Sequence, residues 1–429
     1  MRTGARLQAA IEILVDATAR KRPPADAVKD WMLSHRFAGS KDRAEIGDLV
    51  FAALRWRASS AFRLGSDEPR AWVLGGARWG FARDLAWFDA AFADDPHAPP
   101  PPNEDERARL EGATLDGAPD HVRGDYPEWL DASFARAFGD ERALEGASLA
   151  APAPLDLRAN RLKTDRDALI SALAKSPRLV EPPAPTPFAP DGVRIPWTIG
   201  RTFPWATEQA FQKGWFEVQD EGSQLAALAS GAAPGMQVAD VCAGGGGKTL
   251  ALAALMAGKG QVYAYDVDGR RLAPVHERLA RAGVRNAQIR TPQRGGGDLA
   301  DLAQRMDIAF VDAPCTGSGT WRRAPDAKWR LRPAALETRR AEQQSALDLA
   351  APLVKPGGRI VYVTCSVLPE ENDDAVEAFL ARSPDYAATP APSPAAGALG
   401  TRFGWQLSPR MTGCDGFYIA ILTRRAGPD

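Results

Sequence analysis

The chain is poor in the residues from which many sites are built. It has four cysteines and four histidines in 429 residues. No two cysteines form a C-x-x-C pair, so no structural zinc site, and no metal, is expected. No apolar run reaches the roughly 20 residues that span a bilayer. The first apolar stretch carries Glu12 and Asp16, so it lacks the uncharged core of a signal peptide. An excess of one charge is missing too. The formal net charge is -1, so any basic surface for nucleic acid must be local. These absences lead us to expect a cytoplasmic protein, monomeric and away from membranes, whose thiols stay reduced. A reduced thiol is free to act as a nucleophile.

Hydrophobic residues make up 45% and charged residues 25%, which suits two or three globular domains at this length. Leu7, Ile11, Leu14 and Val15, then Ile46, Leu49, Val50 and Leu54, follow helical spacing. The first 90 or so residues therefore read as helical, and the prolines between Pro96 and Pro102 as a linker. From Asp125 the pattern is mixed. A short strand is predicted at 155–158, a helix opening at Asp165, and a proline-rich stretch from Pro182 to Pro190.

After about Phe216, strands and helices alternate. Strands are predicted at 237–241, 261–266, 307–312, 359–364 and 417–422, with helices at 249–256, 270–282 and 336–354. Lys355-Pro-Gly-Gly358 reads as a turn and the alanine- and proline-rich stretch 383–400 as a loop insertion. The fold expected is α/β, a doubly wound, Rossmann-like sheet built from right-handed βαβ units. The predicted domains are 1–124, helical; 125–215, small and α+β; and 216–429, the α/β core.

In such a sheet ligands bind beyond the carboxyl ends of the strands. The first strand ends in Asp240-Val-Cys-Ala-Gly-Gly-Gly-Gly-Lys-Thr249. Two familiar signatures are absent here. A P-loop needs glycine where Cys242 stands, and the dinucleotide fingerprint starting at Gly244 needs glycine where Thr249 stands. An adenosine-type site without a pyrophosphate cradle remains, which favours S-adenosylmethionine over ATP or NAD. Its candidate residues are Cys242, Ala243, Gly244, Gly245, Gly246, Gly247 and Lys248, with Asp266 at the next strand end, Arg271, Asp298 and Asp312. Asp266 is placed to meet ribose hydroxyls. A lysine at a helix N-terminus, Lys248, opposes the helix dipole, which suggests a ligand-related reason.

Two strand ends carry cysteines, in Asp312-Ala-Pro-Cys315 and Thr364-Cys365-Ser366. A lone cysteine is usually a small buried hydrophobe, and Cys242 and Cys414 are read that way. Two thiols at equivalent strand ends suit covalent catalysis on a pyrimidine instead. Thiolate addition to C6 of cytosine makes C5 nucleophilic, and the chemistry needs a reactive thiol, a polar group at the base and an acceptor for the C5 proton. Asp312 and Lys248 are the polar candidates.

At these residues the chain resembles the RNA 5-methylcytosine methyltransferases of the Sun/Fmu type. The likeness rests on Asp240 to Thr249, Asp312 to Cys315 with Thr316-Gly-Ser-Gly-Thr320, and Thr364 to Val367 with Glu371-Asn372. Gln219-Asp-Glu-Gly-Ser-Gln224 and Asp415-Gly-Phe-Tyr418 add to it. The resemblance implies that Cys365 is the nucleophile and Cys315 assists product release, with Asp312 and Lys248 lining the pocket. DNA cytosine methyltransferases use a Pro-Cys cysteine instead, which would select Cys315. Two departures stand out. The family usually has Ala-Pro where this chain has Gly244-Gly245. It also often has an aspartate after the third strand, where Thr291-Pro-Gln-Arg-Gly295 has no acid and Asp298 is the substitute considered. More weakly, Asp42-Arg43 and Leu49 to Trp56 resemble the helical NusB-like domain of the bacterial 16S rRNA enzyme, and Pro154 to Asn160 the family's small RNA-binding domain.

The densest basic stretch, Trp321 to Arg332, holds five cations and two tryptophans. Arg322, Arg323, Lys328 and Arg330 are expected to meet RNA phosphates, and the tryptophans to stack on bases. The partner expected is RNA, small-subunit ribosomal RNA in particular, with the target cytosine unstacked. The competing classes are an RNA-binding assembly or antitermination factor with an inactive core, and a nucleotide-dependent oxidoreductase, which the missing dinucleotide fingerprint opposes.

Overall fold

Apolar strands with short polar connections at their carboxyl ends set the architecture, seen in a computed structural model that describes residues 1–93, 95–292 and 299–426. The chain divides into two units. One comprises Met1–Ala151 with Trp321–Arg330, and the other Pro152–Thr320 with Leu331 onward.

The first unit is helical. Thr3–Ala19, Ser40–Arg55 and Pro69–Gly75 bury Leu7, Ile13, Leu14, Ile46, Val50, Trp72 and Leu74 together. Helices continue past the prolines, through Glu104–Gly112, Asp131–Phe138 and Arg142–Ala150. Residues 125–151 therefore join this unit rather than the small α+β one. Leu130, Phe134 and Leu149 are buried there, and the Phe134 ring stacks on Tyr126 and on Trp321.

The second unit holds two sheets. The smaller has β1 (Leu155–Ala159), β2 (Ala184–Pro185), β3 (Gly192–Ile195) and β4 (Phe216–Val218), antiparallel in the order β2-β3-β1-β4. Asp165 caps the helix Arg166–Leu173 by accepting from the Ala168 N–H, as its sequence position predicts. The larger sheet contains β5 (Gln237–Asp240), β6 (Gln261–Tyr265), β7 (Ala287–Arg290), β8 (Met306–Asp312), β9 (Val354–Thr364), β10 (Tyr386–Ala388), β11 (Leu399–Gly400), β12 (Gly404–Leu407) and β13 (Phe417–Arg424). Its order is β11-β12-β13-β9-β8-β5-β6-β7, with β10 beside β13. Strands β7, β6, β5, β8 and β9 are parallel, and β13 runs antiparallel to β9. Val238, Ile308, Phe310, Val361 and Val363 fill one apolar layer, while Val311, Ile360 and Tyr362 face the other. Burial on both faces explains why these strands read as continuous apolar runs.

Three local readings change. Lys355-Pro-Gly-Gly358 is not a turn but an outward bulge in β9, with the register shifting opposite Met306 and Ile308. The helix read over 270–282 breaks at Pro274 into a 3-10 turn, Gly269–Leu272, and a helix, Val275–Ala282. Finally, β10 and β11 lie in the stretch read as a loop insertion. The N–H of Thr389 reaches the Ile421 carbonyl there.

Candidate active site

The sheet order reverses at β5: the chain steps outward to β6 and β7, then returns to the other side as β8. The crevice at that reversal is the ligand-binding position of doubly wound folds. It brings together the ends of β5, β6, β8 and β9, where the chemistry-bearing motifs lie.

The glycine turn leaves β5 with Gly244 at φ +50° and Gly246 at φ +83°, so both occupy backbone that favours glycine. The turn is tied to the next strand by the Ala243 N–H, which donates to the Tyr265 carbonyl, 2.8 Å. The Gly244 N–H donates to Asp266 Oδ2, 2.9 Å. Asp266 is almost fully buried, accepts from the Asp268 N–H through Oδ1, and pairs with Arg271 at 3.1 Å. Asp240, at the end of β5, accepts from the Thr249 hydroxyl with Oδ2, while its buried Oδ1 has no partner among the described residues. Burial raises its carboxyl to about 7, with Asp312 adding to the rise and Thr249 and Lys248 opposing it. Cys242 packs against the apolar layer that holds Val311, Ile360 and Tyr362, and burial pushes its thiol up. Asp298 lies outside the described residues.

Lys248, at the start of the helix Gly247–Leu255, reaches across to Asp312 at the end of β8, Nζ to Oδ2 3.0 Å. Its ammonium also sits 5.1 Å from the centre of the Phe417 ring, a cation–π contact. This pairing answers the oddity of a lysine at a helix start: its side chain is drawn to the carboxylate of another strand.

The two strand-end thiols meet. Cys315 Sγ and Cys365 Sγ are 3.3 Å apart, and both cysteines are free and half-buried. The contact with Cys365 and burial push the Cys315 thiol well up, so Cys315 keeps its proton. Cys414 is fully buried beside the Thr412 hydroxyl, as a packing residue should be.

Glu371 is the residue that the sequence left without a role. Its fully buried carboxylate accepts from the Thr316 N–H at 2.8 Å and the Thr316 hydroxyl at 2.5 Å. It also accepts from the Ser366 hydroxyl at 2.5 Å and the Gln343 amide at 3.0 Å. It thereby joins the residue after Cys315 to the residue after Cys365. Gln343 also donates to the Pro314 carbonyl, and Ser318 Oγ lies 2.9 Å from Ser366 Oγ. Asn372 accepts from the Thr364 hydroxyl and donates to the Ser366 carbonyl. Gly319 presses on Gly416, where a Cβ would lie 2.1 Å from the Gly416 carbonyl oxygen. The sequence signal for this network was that Glu371-Asn372 belongs to the same set of family motifs as Thr316 to Thr320 and Thr364 to Val367.

The basic stretch is different. Lys328 and Arg322 are buried within the helical unit, at 1% and 4% exposure. Lys328 Nζ donates to the Arg55 carbonyl, 2.8 Å, and Trp329 Nε1 to the Leu54 carbonyl, 2.6 Å. Buried cations committed to protein cannot reach a phosphate, so the expectation that Lys328 and Arg322 contact RNA is corrected. Arg323 and Arg330 are exposed, and Arg330 pairs with Asp326, 2.7 Å.

Comparisons with known proteins give the family. The family model for 16S rRNA methyltransferase RsmB/F matches residues 230–423. A Synechocystis protein named probable ribosomal RNA small subunit methyltransferase B is 35% identical over 62% of this chain, but the match spans only 58% of that relative. The ribosomal RNA small subunit methyltransferase B of Pseudomonas syringae pv. tomato is 35% identical over 72% of this chain and 68% of its own. The solved structure of PH0851 covers 98% of this chain and 99% of its own with a TM-score of 0.72, and at 24% identity it shares the fold. The Pseudomonas relative, covered over two thirds of its length, and the matched span show the family: the chain belongs to the 16S rRNA methyltransferase RsmB/F family.

Proposed function

We propose that this protein transfers a methyl group from S-adenosylmethionine to C5 of a cytosine in small-subunit ribosomal RNA, through a covalent adduct between Cys365 and C6. The observation that carries the reading is the 3.3 Å approach of Cys315 and Cys365, at the ends of adjacent strands β8 and β9, with Lys248 of the helix after β5 paired to Asp312 at the end of β8.

The residues fit the cofactor. Gly244 and Gly246 let backbone approach a ligand closely. Asp266 sits at the strand end where ribose hydroxyls are met in such folds, with Arg271 beside it. Asp240 leaves one buried carboxylate oxygen unused. When bound, S-adenosylmethionine supplies an electrophilic methyl group.

This chain's own residues do the rest. Cys365, as the thiolate, adds to C6, and the electron pair displaced toward C5 makes that carbon the nucleophile. The Lys248 ammonium, held by Asp312, offsets the negative charge that develops at N3, and Asp312 contacts the base edge. After methylation the C5 proton leaves to a base, the C5–C6 double bond re-forms and the Cys365 thiolate is expelled. Cys315 stays protonated beside it and assists that collapse. Glu371 holds both thiol-bearing loops, so neither cysteine needs reorganisation during the cycle. The target base must be out of its stack to expose C6, and exposed Arg323 and Arg330 contribute to RNA affinity through phosphate contacts.

The deciding experiment incubates the protein with methyl-labelled S-adenosylmethionine and unmodified 16S rRNA, then maps the product by bisulfite sequencing. One protected cytosine is the expected result. Label on another atom or base would overturn the reading.

A further inference from the structure

The glycine turn that begins the larger sheet's site is intrinsically loose: four glycines in a row have many conformations to lose. Yet two of its carbonyls face arginines that belong to, or are held by, the small sheet. Arg278, on the helix Val275–Ala282, donates through Nη1 to the Gly245 carbonyl. The same guanidinium is held by Glu217 of β4, Nη2 to Oε2 2.8 Å and Nε to Oε2 3.3 Å. Glu217 is buried and its other oxygen is taken by Arg281. Opposite Glu217 in the β1–β4 register stands Arg158. It is also buried, with Nη1 3.5 Å from the Gly247 carbonyl and no partner for its Nε among the described residues.

A side chain at 245 would compete with this grip. A Cβ built there meets Arg278 Nη1 at 3.3 Å and otherwise only Pro274 at 3.9 Å. Rigidity at this point of the turn can therefore come from a restricted residue at 245 or from the arginine, and the two would crowd one another.

We infer that Glu217 and Arg278 are a positioning pair, which fixes the glycine turn in its cofactor-receiving shape and links that shape to the small sheet. The pair touches neither the reacting atoms nor, in this role, the cofactor; it acts through the Gly245 carbonyl. The inference rests on the cofactor reading above, and its test separates the two.

Hydrogen exchange of the ligand-free protein reads the turn directly. Arg278→Ala should speed exchange of the Gly244 and Gly246 amides while the amides of β8 and β9 keep their protection. Titration calorimetry with S-adenosylmethionine should then show affinity weakened about fivefold, the scale of a loop that must be ordered on binding. The KM for the cofactor should rise with kcat unchanged. Glu217→Gln should give a smaller change in the same direction. Arg281 still neutralises Glu217 in Arg278→Ala, so that variant should fold. The discriminating variant adds Gly245→Pro to Arg278→Ala. With the arginine gone there is room for the ring, and the stiffer turn should recover most of the lost affinity. If the pair only pinned a helix to the small sheet, the proline would add a second loss. That outcome, or unchanged glycine exchange in Arg278→Ala, overturns the inference. A wild-type protein that ignores S-adenosylmethionine would overturn the proposed function, while the exchange data would still decide whether the turn is held.

Discussion

Residues 312–320 and 321–330 are consecutive in the chain, yet they belong to different units. The first stretch ends β8 and carries Asp312 and Cys315, and the Glu371 carboxylate holds it from Thr316 onward. The second is rich in cations and tryptophan, and its most prominent members turn into the helical unit. Lys328 and Trp329 donate to the carbonyls of Arg55 and Leu54, and the Arg57 guanidinium lies over the rings of Trp72 and Trp329. Composition did not separate these uses. Lysine, arginine and tryptophan suit a phosphate and a base, and they suit backbone carbonyls and a neighbouring ring equally well. What distinguishes an anchor from a contact surface is burial, and burial is set by helices more than 170 residues upstream in sequence.

The comparison breaks most sharply at the thiols. Cys365→Ala should abolish turnover and form no RNA adduct. Cys315→Ala should also turn over poorly but accumulate a protein–RNA species that survives denaturing gels. An adduct seen with Cys365→Ala and lost with Cys315→Ala would reverse the roles. Next in size is Lys328→Ala. It removes a side chain that is buried in the helical unit and donates to the Arg55 carbonyl, beside Asp125, which is buried against Ser59, and should destabilise that unit by about 3–5 kcal/mol in denaturant unfolding. Lys328→Met with Asp125→Asn should recover most of that. A Lys328→Ala protein of unchanged stability but weaker RNA binding would restore the phosphate-contact reading.

Asp240→Asn should act through pH. The folded-state carboxyl is raised to about 7 by burial, above its unfolded value, so the folded state holds the extra proton and wild-type stability falls as pH rises from about 4 to 7. The asparagine cannot ionise. Its unfolding free energy should lose that slope and exceed wild type at pH 8 by on the order of 2–4 kcal/mol. Identical pH profiles would show that Asp240 is charged when folded. Arg323→Ala with Arg330→Ala should have the smallest effect: the salt dependence of RNA binding should flatten by up to about 0.9 in slope per lost phosphate contact.

Much of the larger sheet was legible because its strands are buried on both faces and so stand out as apolar runs. The site was legible where residue type and strand-end position coincide, as at Asp266, Lys248, Asp312, Cys315 and Cys365. What escaped was tertiary. The bulge at 355–358 looks like a turn because its residues are turn formers, and only pairing with β8 keeps it in a strand. Residues 125–150 carry many alanines and few long apolar side chains, so their helices gain definition from Tyr126 and Trp321 stacking on Phe134. Glu371 and Glu217 are ordinary acids in sequence and become organisers only through partners 55 and 61 residues away.

The inclusion of Trp321–Arg330 in the helical unit has a consequence for biosynthesis. When residue 151 leaves the ribosome, this unit still lacks the buried Lys328 that donates to the Arg55 carbonyl and the ring that stacks on Phe134. Both arrive only after residues 152–320 have been made, about 10–30 s later at typical elongation rates. The N-terminal helices must wait for a segment encoded late in the message, so the order of translation is not the order in which the two units are completed. A nascent chain stalled before residue 321 should be more open to proteases in its helical part than the finished protein.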